Sequence, residues 1–300
     1  MNRKQDKNIS MVKGNEREEG VVISQKNVGF ALVKLKAINP TREQVNEMLG
    51  KEDDKEISYL SKDQDGNDRV RLSFWLYCSE ADKYFIHSFN LTNKVRKSRD
   101  GIKTQYVNSS CSTAWGETEA DLPVWFTHHV DKNGNKVEKK KYRPALLGEE
   151  ELTTLVKSWL GKLKWKDVET SVLLDTDKLL NEDYSELRQE INGKWDKQFI
   201  ILTGVRTDEN DIEKKYQQVY GKSFLPSDFD EYIKNGMKFP ATKNGQYASR
   251  VWDKFEKDVM GQYGFSAYFE LDSIKPYDAS KDPASSISAK ADVTPTNAKF

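Results

Sequence analysis

Between Lys94 and Lys103, five cations (Lys94, Arg96, Lys97, Arg99 and Lys103) stand against one acid, Asp100, in a 300-residue chain whose 48 basic and 48 acidic residues cancel. Two alternating aromatic segments, RLSFWLYCSE and KYFIHSFNL, precede this loop, and QYVNSSCSTAW follows it. The chemistry available to such residues is non-covalent. Cations pair with phosphates, and exposed rings stack bases for about 1–3 kcal/mol each without reading their sequence. A period of two puts Arg71, Ser73, Trp75 and Tyr77 on one face of the first segment and Leu72, Phe74 and Leu76 on the other. The Leu/Phe set is expected to enter the core, which leaves a mixed polar and aromatic face for a ligand. Tyr106, Trp115 and Trp125 follow and extend the candidate stacking surface. A second basic run, Lys136–Arg143 (KVEKKKYR), has five cations and one acid and offers an opposite wall. Each feature also has an ordinary explanation: a charge run is a solvated face, a basic turn protects sheet edges, and Trp75 packs under a helix.

Other chemistries find little footing. The chain has no GxSxG, no phosphate-binding glycine loop and no HExxH, and its acids fall in exposed helical or turn contexts, so an enzyme is not expected. Cys78, His87, Cys111 and either His128 or His129 could total four zinc ligands. Their spacing matches no compact zinc module, and adjacent histidines on a strand point to opposite faces. Buried free cysteines in a reducing compartment are the expectation, with neither metal nor cofactor. A formal net charge of zero requires any polyanion site to be local. No run approaches the length of a membrane span and Met1–Ser10 lacks a secretory apolar segment, so no membrane partner is expected.

The elements that must position these residues can be read from pattern. Residues 1–20 form a charged N-terminal arm, residues 21–279 the folded body, and residues 280–300 a Ser/Ala/Pro/Thr-rich tail; both ends are expected to be disordered. Phe30–Ile38 alternates apolar residues with lysine and reads as a strand. Thr41 caps a short helix stopped by Gly50. DQDGND and DKNGNK are turns, Arg71–Glu80 and Tyr84–Leu91 a hairpin, and Lys103–Ser109 a further strand. Gly148 opens an amphipathic helix running to Leu160. Val168–Leu174, Lys197–Thr203 and Phe265–Ile274 read as strands. Ile212–Tyr220 and Ala248–Met260 read as helices, and Asp175–Glu190 as helical in part. The class is α+β, with strands gathered into an antiparallel barrel or sandwich and helices inserted.

The succession INPTREQVNEMLG, RVRLSFWLY, DGIKTQYVNSSCSTAWGE with LPVWF, and YRPALLGEEELTTLVKSWL resembles the single-stranded-DNA-binding proteins of tailed bacteriophages, in the form found in replication modules of crAss-like phages. KYQQVYGKSFLPSDF and YGFSAYFELDSIKPYD fit the same likeness, which covers roughly Phe30–Asp278. The resemblance implies an OB-like antiparallel β-barrel that binds and protects single-stranded DNA with little sequence preference during phage replication or recombination in the host cytoplasm. It also implies phage replication proteins as partners and self-association along DNA. The Lys94–Lys103 loop, Gln105, Tyr106 and Trp115 would then line or border the groove. The tail departs from the acidic tail of such proteins: Lys281, Lys290 and Lys299 stand against Asp282 and Asp292, so it is not acidic. The alternative is a structural or virion-associated phage protein acting through protein–protein contacts.

Overall fold

A computed structural model describes residues 25–108, 112–138, 141–160, 176–185, 187, 197–263 and 266–285. The N-terminal arm, the strand expected at Val168–Leu174 and the tail from residue 286 lie outside these residues. In chain order the strands are β1 (Asn27–Ile38), β2 (Leu60–Lys62), β3 (Asp68–Cys78), β4 (Lys83–Thr92), β5 (Thr104–Asn108), β6 (Thr113–Gly116), β7 (His128–Val130), β8 (Lys136–Glu138), β9 (Tyr142–Pro144), β10 (Gln198–Thr207), β11 (Lys215–Pro226), β12 (Ala267–Tyr268) and β13 (Lys275–Pro276). Helices α1 (Arg42–Leu49), α2 (Val124–Thr127), α3 (Glu149–Leu160) and α4 (Thr176–Leu180) precede β10, and the helices Asp230–Lys234 and Lys243–Tyr263 follow β11. The class is α+β with antiparallel sheets, and among the described residues the strands do not close into a barrel. The described residues cluster into two compact units, one of those up to Lys36 with Trp75–His87 and those from Lys197 onward, the other of Ala37–Phe74 and those between Ser88 and Asp196.

In the first unit β10 pairs antiparallel with β1, Gly29 facing Thr203 and Lys34 facing Gln198, and with β11 on its other side. One face of these strands presents Phe30, Ile200, Leu202 and Tyr220 to Phe229, Ile233, Trp252 and Phe255 of the following helical segments. The opposite face includes Phe199, stacked on Phe224 at 4.2 Å, with His87 edge-on to Phe224. Burial pushes the His87 imidazole down to about 4.

Two sequence expectations are corrected here. Ile212–Tyr220 is not a helix. Ile212, Tyr216, Val219 and Tyr220 sit at helical spacing, but Asp208 and Asp211 fold the polar run into a turn through bonds from Asn210, Glu213 and Lys214. The chain then returns as β11, where pairing with β10 satisfies a whole row of backbone groups that a short helix would leave open at its ends. Of the single strand expected at Phe265–Ile274, the described residues from 266 on keep only the two-residue β12, and β13 begins just beyond it at Lys275. The chain crosses β10 and β1 where both carry glycine: a Cβ on Gly204 would meet the Tyr268 carbonyl at 2.4 Å, and one on Gly29 the Asp272 carbonyl at 2.6 Å. Residues 280–285, assigned to the tail on composition, are held in place because Asp282 accepts from Lys215 Nζ at 2.9 Å and from the Tyr277 hydroxyl at 2.7 Å.

The second unit follows its sequence cues closely. Thr41 and Gln44 form the capping box of α1, and Gly50 ends it in the left-handed region at φ 58°. The turns DQDGN and DKNGN adopt the same hydrogen-bond pattern. In each, the leading aspartate (Asp63 or Asp131) accepts from the backbone N–H groups two and four residues on, and from the amide of Asn67 or Asn135. β5 is the centre of a three-stranded sheet between β6 and β9. One side of it is closed by a small core of Tyr106, Ala114, Leu122 and Phe126 with Tyr142 packed against it.

The first unit also buries a lysine without a carboxylate. Lys83 Nζ donates to the Gln25 carbonyl (3.0 Å), Asn27 Oδ1 (3.0 Å) and Gln217 Oε1 (3.3 Å), and lies over the Phe85 ring. Burial, reinforced by Lys26, pushes its ammonium down to about 8 from 10.5. The folded chain therefore gives up this proton near pH 8 while the unfolded chain keeps it to higher pH. Stability is penalised below pH 8 and rises above it. From pH 8 to pH 10 the unfolding free energy should increase by about 2 kcal/mol, and Lys83→Met should remove that rise. Urea unfolding at stepped pH measures both; equal slopes for the two proteins would refute the assignment.

Candidate nucleic-acid interface

The Lys94–Lys103 loop is a hairpin with its backbone satisfied from two sides. Ser98 N–H donates to the Lys103 carbonyl and Gly101 N–H to that of Ser98, closing a turn at Gly101 (φ 76°). The loop's one acid is used inside this turn. Asp100 accepts from the Ser98 hydroxyl and from the Ile102 N–H, and the Ser98 bond leads in holding its carboxyl below the usual range. The stem is templated by the segment after β9. Arg96 N–H donates to the Ala145 carbonyl (2.8 Å), Leu147 N–H to that of Lys94 (2.8 Å), and Ala145 N–H to that of Gln105 (2.8 Å).

The five cations divide by partner. Lys94 pairs with Asp65, both exposed, and that contact holds its ammonium above the ordinary value. Arg96 pairs with Glu150 at 2.6 Å and sits 5.9 Å from the centre of the Trp115 ring. Lys97, Arg99 and Lys103 are exposed and make no ion pair among the described residues. These three are the charges on the loop open to a polyanion.

The rings divide by coverage. Trp115 on β6 faces Gln105 across the ladder and is 40% exposed. Trp125 is 58% exposed, because its neighbour Phe126 plugs the small core and anchors α2 with the indole outward. Tyr106 is only 7% exposed: it points to the other side of β5, edge-on to Tyr142. On β3 the expected phase holds, with Val70, Leu72, Phe74 and Leu76 fully buried. The opposite face is not open along its length, however. Trp75 is 3% exposed and packs edge-on to Tyr84, so it is a core residue and not a stacking surface. Tyr77 is half-buried between Tyr84 and Lys36, its hydroxyl donating to Asp82 at 2.8 Å. Arg71 is half-buried over the Tyr59 ring at 5.7 Å.

The second basic run does not present Arg143 to solvent. Its guanidinium forks onto Glu149 with N–O distances of 2.6 and 3.0 Å, and Leu146 N–H donates to the same carboxylate. Glu149 is 1% exposed. Burial raises its pKa, and Arg143 opposes that rise. Lys136 and Lys141 remain exposed, while Lys139 and Lys140 lie outside the described residues. Glu149 and Glu150, the first two residues of α3, pair with Arg143 and Arg96 of the basic runs. Their spacing after Arg143 held the signal for a local ion pair.

Of the candidate zinc ligands, Cys78 and His87 lie in the first unit, His128 and His129 in the second, and Cys111 outside the described residues. No group of three or more metal-binding side chains forms among the described residues. No described helix is long and apolar enough to cross a membrane. Compared with known proteins, the chain matches no family profile, no curated protein and no solved structure.

Two stability measurements follow from these placements. Arg143→Ala strands a buried carboxylate and should cost about 3–5 kcal/mol in urea unfolding. A loss under 1 kcal/mol would mean that water reaches Glu149. Trp75→Ala should cost about 3–5 kcal/mol, and Trp115→Ala less than about 1 kcal/mol. Similar losses from both would show the two rings to be equally covered.

Proposed function

We propose that the chain binds and protects single-stranded DNA, largely without sequence preference, as in phage DNA replication or recombination. One observation carries the reading: Lys97, Arg99 and Lys103 project unpaired from a backbone-satisfied hairpin in the same unit as Trp115, whose ring bears the Arg96 guanidinium. A rigid loop offers its cations to phosphates with little ordering cost, and an indole beside a guanidinium stacks bases of any identity. In this reading the antiparallel strands act as an OB-like platform, and the resemblance to phage proteins supplies the setting of host cytoplasm, replication partners and self-association along DNA. No catalytic step is required of any residue.

A second reading is favoured by a different observation. Val124, Trp125 and Val130 are all exposed apolar residues of the second unit, 47%, 58% and 66% accessible. Such a strip suits a protein partner, as in a virion-associated role.

Fluorescence anisotropy with labelled oligo-dT over a salt series separates the two. Three phosphate contacts at about 0.7 counterions each give a slope of log K against log salt of about −2. Arg99→Ala should reduce the slope by roughly one contact, and Trp115→Ala should weaken binding about tenfold with the slope unchanged. Absence of binding at low salt would remove the DNA reading and leave the protein-contact one.

A further inference from the structure

The first unit has a cleft that the loop does not touch. It occupies about 230 Å3 and is lined by Leu32, Lys34, Lys36, Tyr77, Ser79 and Gln198. Its floor follows from strand phase: Leu32, Lys34 and Lys36 share one face of β1, and Gln198 lies directly across the ladder from Lys34. The same face of the β1–β10 pair carries Phe30, Ile200 and Leu202 under the helices. The apolar floor thus gives way to two lysines and a glutamine at this end of the strands.

Tyr77 supplies the wall. Its ring is braced by Tyr84 at 5.2 Å and by the hydroxyl bond to Asp82, so the ring is oriented before any ligand arrives. Lys36 Nζ stands 6.0 Å from the ring centre and makes no ion pair among the described residues. The residues lining the cleft include no acid.

We propose that this cleft is a nucleotide subsite. The base lies against Tyr77, the phosphate is held by Lys36 with Lys34 adding charge, and the Gln198 amide and Ser79 hydroxyl are within the cleft to bond base or sugar edges. A ring beside a cation, with no acid among the lining residues, suits a ligand that is planar at one end and anionic at the other. A purely apolar ligand would leave the Lys36 ammonium unused, and inorganic phosphate would leave the ring unused. The proposal rests on the reading that the chain binds single-stranded DNA, but it uses a different unit and different residues from the loop.

The test uses the full chain and labelled (dT)20 at low salt, with Lys36→Glu, Tyr77→Leu and Tyr77→Phe beside the loop variant Arg99→Glu. Lys36 is exposed, so its variant leaves the core intact. Lys36→Glu and Tyr77→Leu are expected to weaken binding about tenfold, and Tyr77→Phe, which keeps the ring, less than threefold. Thermal melts check that each variant is folded. If the unaltered chain binds and Arg99→Glu weakens it while Lys36→Glu does not, the subsite is wrong and the loop reading stands. If Lys36→Glu weakens binding but a folded Tyr77→Leu does not, the cleft is a charge patch and the nucleotide assignment is overturned. If the unaltered chain fails to bind, the DNA reading itself falls.

Discussion

The fork between Arg143 and Glu149 is the contact on which the basic loop depends. A carboxylate that is 1% exposed is costly to ionise, and burial raises its pKa. The bidentate guanidinium and the Leu146 N–H compensate it, and so fix the course of residues 143–149. That course sets the backbone groups that face the loop. Ala145 and Leu147 exchange hydrogen bonds with Arg96, Gln105 and Lys94, and the Leu147 carbonyl also accepts from Thr92. The turn passes so close to β4 that a Cβ on Gly148 would lie 2.0 Å from the Asn90 carbonyl, at φ 92°. Only glycine fits there. An ion pair on a buried carboxylate thus connects, through main-chain bonds, to a hairpin whose Lys97, Arg99 and Lys103 face water.

Charge in this loop is allocated more than it is accumulated. Asp100 is consumed by the turn and Glu150 by Arg96, so the acids near the loop serve to shape it. The exposed Lys94–Asp65 pair is solvent-screened and offers little resistance to exchange for a phosphate. Arg96 is different. It bridges an acid and an indole, which orients its guanidinium along the Trp115 ring and adds a second flat surface beside it. In the proposed reading a strand would meet a short graded series: exposed cations at the hairpin, then a paired arginine beside an indole.

Legibility in the sequence followed the range of the interactions. The capped helix α1, the two Asp-led turns and the helix opening at Gly148 are fixed by residues within a few positions of each other, and all were readable. The alternation of β3 was readable for the same reason. What lies over each face was not, because the cover comes from Tyr84 and other residues distant along the chain; Trp75 therefore passed for exposed. Tyr106 failed similarly, since the core that takes it up is assembled from Leu122, Phe126 and Tyr142. At Ile212–Tyr220 a helical spacing was genuine but weaker than the pairing offered by β10. Lys34 and Lys36 were visible as alternating lysines in FALVKLKAI, yet nothing local said that Tyr77 would stand beside them.

Both candidate patches carry the same chemical pair, a ring with a cation at its face: Trp115 with Arg96 in one unit, and Tyr77 with Lys36 in the other. In the proposed reading either patch alone would hold a single strand weakly, since each would combine one or two rings with a few phosphate contacts. A flexible polymer changes that. Once one stretch is held, the rest of the strand stays near the chain at an effective concentration set by the intervening nucleotides, and a second modest contact multiplies the first. Binding spread over small separate patches tolerates any base sequence, because no patch has enough polar groups to read one. Such binding would be compatible with a chain of zero formal net charge: two local concentrations of cations would suffice where contacts multiply, with no need for a basic surface overall.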